Sequence, residues 1–297
     1  MSTPPPLPDR IQRQLPPNVE RQMVRIDGRE MHVMTQGEGR TVLLLHGNPT
    51  WSFLWRKVFK ALEGKPYRLV APDLMGLGLS SRIPSDQHTL FQHGHWLTEL
   101  IDLMDLRDLI FVGQDWGGPI GLRALAERRD RLAGMVILNT VIGPPKADFK
   151  PTAFHKFARQ PIVSDVAFRL LGYPQRALDR AQGDRSSIQG DVAFAYKWPL
   201  RAPWLNQAPL ALARMVPDSH DHVSVPQLQM IADFVSTWSG PSAIVWGDKD
   251  PILGRVRTHV ERSIPHARVT RTQAGHFLQE EVPAEIAAAI EDVASRI

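Results

Sequence analysis

Three separated stretches carry residues that could act together in nucleophilic catalysis. In Val112-Gly113-Gln114-Asp115-Trp116-Gly117-Gly118 an aspartate is flanked by glycines, after the apolar run Leu109–Val112 and before a helical pattern. That is the strand–turn–helix context in which a nucleophile is thrust out of a tight turn, here with a carboxylate in the central position. The N-terminus of the following helix points free N–H groups toward such a group and favours its negative charge. The same aspartate could instead be a plain helix N-cap.

The other stretches favour the catalytic reading. In Leu44-Leu45-His46-Gly47-Asn48-Pro49 the backbone N–H of Asn48 could pair with that of Trp116 to hold a developing oxyanion. A simple Gly-Asn-Pro turn would explain the small residues but not the preceding strand and histidine. In Gln273-Ala274-Gly275-His276-Phe277 a histidine falls where the order nucleophile, acid, histidine requires a general base. The sequence holds 11 histidines, so its place in the chain singles it out. After the run Ala243–Trp246 come Asp248, which reads as a turn acid beside Gly247, and Asp250, just before Pro251; either could hold the imidazole.

These groups need a frame. Val24–Ile26 and Met31–Met34 flank the hairpin signal Asp27-Gly28. Apolar runs recur at Thr41–Leu45, Arg68–Ala71, Leu109–Val112, Met135–Leu138 and Ala243–Trp246, with a weaker one around Val269. Helical stretches, including Leu90–Met104 and Ile120–Glu127, lie between them. The alternation predicts an α/β fold with a mostly parallel sheet covered on both faces, and ligands beyond the carboxyl ends of its strands. From about Pro144 to Pro217 the alternation stops in favour of prolines, aromatic residues and short helical patches. This segment reads as a helical lid inserted between core strands rather than a separate domain. The expected organisation is an N-terminal Pro-rich, extended arm at 1–20, a core at 21–143 and 218–297, and a cap at 144–217.

The chain has 297 residues, 43% hydrophobic and 22% charged, enough to bury a large core and a pocket. It has no cysteine, which excludes disulfides, thiolate catalysis and zinc–sulfur sites and permits a cytoplasmic location. The N-terminal stretch lacks the apolar region of a secretory signal, and no apolar run is long enough to span a bilayer. The net charge of +4 is spread among interrupting acids, which reads as a solvated surface rather than a nucleic-acid-binding stripe.

Taken together, HGNPTWSFLWR (His46–Arg56), VGQDWGG (Val112–Gly118) and GHFLQEEVP (Gly275–Pro283) resemble the haloalkane dehalogenases of the α/β-hydrolase superfamily. The likeness runs from about Arg21 to the C-terminus and is weakest in the lid. It implies the α/β-hydrolase fold with an inserted helical cap, Asp115 as nucleophile and His276 as base. The indole of Trp116 and the side-chain amide of Asn48 would be halide donors. Some members carry the acid after the strand that follows the nucleophile helix; here that strand ends Leu138-Asn139-Thr140. The chain thus resembles the subgroup with an Asp–His–Asp triad, closed by Asp250, and an Asn–Trp halide pair. Members with a second tryptophan donor take it from the lid, where this chain has Trp198 and Trp204; packing of lid on core is the simpler use for both.

The implied substrate is a small hydrophobic haloalkane, the product a halide ion, and no metal or organic cofactor is implied. An epoxide hydrolase shares the Asp–His–acid machinery and would use lid tyrosines, for which Tyr173 and Tyr196 are candidates. Its family resembles His-Gly-aromatic-Pro rather than His46-Gly47-Asn48-Pro49. A luciferase-like monooxygenase and a binding protein with a vestigial site are alternatives of other classes.

Overall fold

The computed structural model describes residues 2–151 and 153–297. Eight strands form one sheet: β1 (Glu20–Ile26), β2 (Arg29–Gln36), β3 (Arg40–Leu45), β4 (Tyr67–Pro72), β5 (Leu109–Gln114), β6 (Leu132–Leu138), β7 (Ser242–Gly247) and β8 (Arg268–Thr272). Their spatial order is β1-β2-β4-β3-β5-β6-β7-β8. The hairpin β1–β2 and the pair β2–β4 are antiparallel; every other pairing is parallel. This is the α/β-hydrolase fold, and every strand anticipated from the sequence is present. The helix after β5 begins at Gly117, three residues ahead of the apolar pattern, because the glycines of the turn already belong to its first turn.

The apolar runs are continuous because the strands are covered on both sides. Alternate residues of each central strand enter opposite layers. Leu43, Leu45, Phe111, Met135, Ile137 and Ile244 join the layer that contains helices Leu90–Leu103, Gly117–Glu127 and Val225–Ser236. Val42, Leu44, Ile110, Val112, Val136 and Val245 join the layer that contains Arg56–Ala61 and Pro283–Ala294. Strand β8 is the exception. It is a sheet edge with its side chains largely exposed, and its arginines Arg268 and Arg271 suit an unpaired edge. That explains why its hydrophobic signal is weak.

Two features place the site. β3 lies between β4 and β5, so the chain turns to one side after β3 and to the other after β4, which opens a crevice at the carboxyl ends. The register then levels those ends: Leu45 pairs with Gly113, Gln114 with Leu138, Leu138 with Val245 and Gly247 with Thr272. The residues that follow each strand therefore emerge side by side.

Between β6 and β7 the described residues form helices and turns and no strand. The N-terminal arm is extended only in part. Ser2 bridges to Met23, but Asp9–Gln12 is a helical turn, and Ile11 and Leu15 are buried. Arg10 pairs with Asp191 and stacks on Phe194, both in the inserted helix Gly190–Lys197. Two apolar anchors and a cation, spaced along a polar, Pro-rich stretch, thus tie the arm to the insertion. Among the described residues no helix is long and apolar enough to cross a membrane.

A buried ionic knot joins the first and last sequence motifs to the insertion. Arg56 makes two bonds to the carboxylate of Glu280, 2.6 and 2.8 Å long. The Tyr196 hydroxyl donates to Glu280 Oε1 at 2.5 Å, and Lys57 donates to the Glu280 carbonyl at 2.6 Å. Burial works against the Arg56 charge, but Glu280 more than offsets it and keeps the guanidinium pKa above its ordinary value. Removing one partner strands the other charge. Glu280→Leu is expected to cost about 3–5 kcal/mol of stability, measured by urea unfolding. Arg56→Met in the same chain should recover most of that loss; an equal loss in the double variant would show that the knot acts through packing alone.

Candidate active site

Asp115 closes β5 in a left-handed conformation, with φ of 50°. An aspartate tolerates this region better than most residues, yet it still carries strain of order 1 kcal/mol. Four bonds hold it there. Its N–H donates to the Asn139 carbonyl at 3.1 Å, and its carbonyl accepts from Thr140 Oγ1 at 2.6 Å and from Gly118 N at 3.1 Å. Its Oδ1 accepts from the Asn48 backbone N–H at 2.7 Å.

The glycines around the turn are dictated by close approach. A Cβ on Gly47 would lie 2.3 Å from Asp115 Oδ1, one on Gly117 2.3 Å from the Leu45 carbonyl, and one on Gly118 2.0 Å from Thr140 Oγ1. Small residues here let the β3 and β5 loops touch, and that contact delivers the Asn48 N–H to the carboxylate.

On the other side of Asp115 stands His276. Its Nε2 lies 3.5 Å from Asp115 Oδ2, and its Nδ1 lies 2.9 Å from Asp250 Oδ2. The ring is 1% exposed, whereas the Asp115 side chain is 16% exposed and is the accessible member of the three. Asp250 Oδ1 accepts from the N–H groups of Ile252 and Leu253 at 2.7 and 3.1 Å, and its Oδ2 also accepts from Asn139 Nδ2 at 2.8 Å. Asp248 turns away and pairs with Arg257 and Arg271. The two acids left open by the sequence are therefore separated by geometry: one faces the imidazole, the other faces surface arginines.

The electrostatics of this trio are unusual. Burial opposes a charged imidazole, yet Asp250 and Asp115, one on each ring nitrogen, push the His276 pKa up to about 10. Burial likewise opposes ionisation of Asp250, but His276 and the N–H groups of Ile252 and Leu253 hold its carboxyl below the usual range. The two carboxylates thus bias the His276 ring toward its charged form. His46 is the opposite case: burial lowers its pKa. It accepts from Leu74 N–H at Nε2, which leaves its Nδ1–H to meet the Gly47 carbonyl, so it serves as a neutral brace of the Asn48 loop.

The halide candidates flank Asp115. Among the described residues the Trp116 indole N–H donates to no protein group, while the Asn48 side-chain amide donates to the Pro209 carbonyl of the insertion at 2.9 Å. Trp198 packs against the core and beneath Arg201, and Trp204 is largely exposed. Tyr196 is committed to Glu280, and Tyr173 stands in an aromatic cluster with Phe157 and Phe168. Two depressions of about 360 and 520 Å³ lie on the insertion, and neither is lined by Asp115 or His276. No group of three potential metal ligands exists among the described residues.

Several positioning residues were not legible beforehand. Asn139 fills the strand end noted above for lacking an acid, and it binds the acid supplied by the next strand. Thr140 and Gln114 likewise carry no local mark of a site residue; Gln114 Nε2 donates to the His276 carbonyl at 3.0 Å. Only the polarity of these side chains, at strand ends otherwise made of apolar residues, could have marked them.

Comparison with known proteins agrees with the fold. The family described as alpha/beta hydrolase fold matches residues 40–283. Haloalkane dehalogenase 1 of Mycobacterium tuberculosis is 32% identical over 257 residues, spanning 83% of this chain and 81% of that protein. Haloalkane dehalogenase 2 of Mycobacterium bovis is 33% identical over 266 residues, spanning 88% and 90%. Among solved structures, a haloalkane dehalogenase of Paraglaciecola agarilytica, described as tetrameric, superposes with a TM-score of 0.82 at 26% identity over 99% of both chains. One from Agrobacterium tumefaciens shares the fold, with a TM-score of 0.82 at 24% identity over 94% of this chain and 97% of that one. The chain belongs to the haloalkane dehalogenase family of α/β-hydrolase-fold proteins.

The raised pKa of His276 has a measurable signature. Against an unfolded value of about 6.5, its charged form contributes stability that is fully present below about pH 6.5 and is lost as pH rises through about 10. Nitrogen-detected NMR of labelled histidine should show the ring still protonated at pH 8. In Asp115→Asn the pKa should fall, because one of the two carboxylates is gone. A neutral ring at pH 8 in the parent protein would contradict the charge arrangement.

Proposed function

We propose that the protein is a haloalkane dehalogenase that hydrolyses carbon–halogen bonds in small hydrophobic haloalkanes to alcohol, halide and a proton. One observation carries the reading: a strained, accessible aspartate has one oxygen on the Asn48 N–H and the other facing an imidazole that is itself backed by Asp250. Residues 144–217 act as the cap over this site, with 21–143 and 218–297 as the core.

A carbon–halogen bond offers no carbonyl for water to enter, but a nucleophile held in line can displace the halide. Asp115 Oδ2 attacks the carbon, the carbon–halogen bond breaks with its electron pair on the halide, and an alkyl ester forms. The indole N–H of Trp116 and the Asn48 amide receive the halide. Asn48 has two amide hydrogens, so its bond to Pro209 fixes the amide and leaves one N–H to give. Neutral donors solvate the leaving anion without trapping it as a cation would.

Ester formation also resets the base. It removes the Asp115 charge, one of the two that favour the imidazolium, so the His276 pKa drops and the ring gives its proton up to solvent as the proton of the overall reaction. Neutral His276 then takes a proton from water as the water attacks Cγ of Asp115. The oxyanion on Oδ1 is held by the N–H groups of Asn48 and Trp116 and Asp250 stabilises the imidazolium; as the bond from Cγ to the alkoxide oxygen breaks, the remaining hydroxyl proton of the added water passes to that oxygen, so alcohol leaves and the carboxylate is restored. No cofactor takes part in this cycle. An epoxide-opening acid would have to come from the lid tyrosines, and the engagement of Tyr196 with Glu280 speaks against it.

The test is halide and alcohol release from short bromoalkanes, with epoxides assayed in parallel. Bromide and alcohol are expected in equal amounts. Asp115→Asn should lower turnover by about 10⁴-fold or more, as loss of a nucleophile does elsewhere. His276→Phe should release about one equivalent of bromide and stall, with an alkyl adduct on Asp115 seen by mass spectrometry. Diol from epoxides without bromide would replace the reading with epoxide hydrolysis. Silence on both substrates would favour a binding role.

The two acids give a further check. Asp250→Ala should reduce turnover by about 10³–10⁴-fold. Asp248→Ala removes a solvent-facing pair and should change it by less than about twofold. Similar losses in both would refute the role given to Asp250.

A further inference from the structure

The loop that carries His276 is held by the insertion as well as by the sheet. Strand β8 ends at Thr272, and the carbonyls of Thr272 and Ala274 accept from Asp248 and Lys249. The next three amides find other partners. Gly275 N–H donates to Glu281 Oε1 at 2.9 Å, His276 N–H to the Ala181 carbonyl at 2.8 Å, and Phe277 N–H to Gln182 Oε1 at 2.9 Å.

The partners are fastened in turn. Gln182 Nε2 donates back to the Phe277 carbonyl at 3.2 Å, so its amide grips both backbone groups of one residue. Glu281 also accepts from Gly183 N–H at 3.1 Å and from Asp184 N–H at 2.7 Å, so one carboxylate ties the two chains together. The approach is too close for side chains: a Cβ on Gly275 would lie 2.2 Å from the Ala181 carbonyl, and one on Gly183 2.3 Å from the Gln273 carbonyl. Gln182 and His276 are both buried.

We propose that Gln182 and Glu281 are positioning residues that clamp the His276 loop to the insertion segment 181–184, so that the fit of the insertion on the core sets the alignment of the base. Neither side chain touches the reacting atoms. They fix the backbone on both sides of His276, and the ring must keep Nε2 toward Asp115 and Nδ1 on Asp250. The two chemical steps then differ in sensitivity. Displacement of halide needs Asp115 and the halide donors, which the clamp does not touch. Hydrolysis of the ester needs His276 in register with a water and Cγ, where an error near 1 Å can cost up to about 100-fold.

The consequence for activity rests on the dehalogenase reading, so the test has an arm independent of it. Gln182→Met keeps the length of the side chain and removes both of its backbone bonds; Glu281→Gln, a milder change, repeats the test. In the free protein, hydrogen exchange at the amides of 275–277 should accelerate at least tenfold while the global unfolding midpoint stays within the folded range. Unchanged protection there overturns the clamp whatever the enzyme's reaction. With a bromoalkane, both variants should give a rapid burst of about one equivalent of bromide, followed by slow turnover and an accumulated alkyl adduct on Asp115. Equal slowing of burst and turnover, or slow turnover without the adduct, would overturn a specific role in positioning the base. Absence of bromide release from the parent protein would refute the dehalogenase reading, and the exchange arm would then decide the clamp alone.

Discussion

The turn at Asp115 is the constraint on which the rest of the structure depends. The backbone must leave β5, reverse through a left-handed residue and enter a helix within a few positions, all while the β3 loop presses against it. Glycine at 47, 117 and 118 is the only solution that allows this approach, since a single added Cβ at any of them would meet an atom at 2.3 Å or less. The bonds from Thr140, Asn139, Gly118 and Asn48 then hold a conformation that the residue would not choose by itself. The elbow is therefore a property of three neighbouring strands, β3, β5 and β6, and their common register is what lets their loops meet.

Charge is the second organising element. A buried imidazole would ordinarily be neutral, but two carboxylates outweigh its desolvation. The proposed cycle follows from this balance, because alkylation of Asp115 cancels one of the two charges and turns an imidazolium into a base. In that proposed cycle Asp250 stays ionised, its carboxylate bonded by Ile252, Leu253 and Asn139.

The insertion contributes more than a cover. It meets the core through the Arg56–Glu280–Tyr196 knot, the Asn48–Pro209 bond and the segment that grips the His276 loop. Each contact pairs a group in one of the sequence motifs with a group in the insertion. The conspicuous residues flanking the candidate site residues, such as Arg56 and Glu280, are thus interface residues between the two parts.

The sequence by itself determined the sheet, the order of its strands along the chain and the helical interruption, and it singled out Asp115 and His276 as candidate site residues. Those signals are local: apolar runs for strands buried on both faces, glycines for a tight turn, and polar residues just beyond strand ends. Even the weak signal of β8 was faithful, since an edge strand exposes its side chains. The choice between Asp248 and Asp250 was only a preference in the sequence, because residues two apart in a loop differ in direction rather than in type. The tertiary structure decided that one faces an imidazole and the other a pair of arginines. It also decided that the Tyr196 hydroxyl is engaged by Glu280, that Arg10 and Ile11 of the N-terminal arm are docked, and that Asn139 bonds to Asp250 while Gln182 bonds to the residue after His276. These contacts join residues from 84 to 181 positions apart, and hydrogen-bond partners at such separation are set by how the layers pack, which no local pattern encodes.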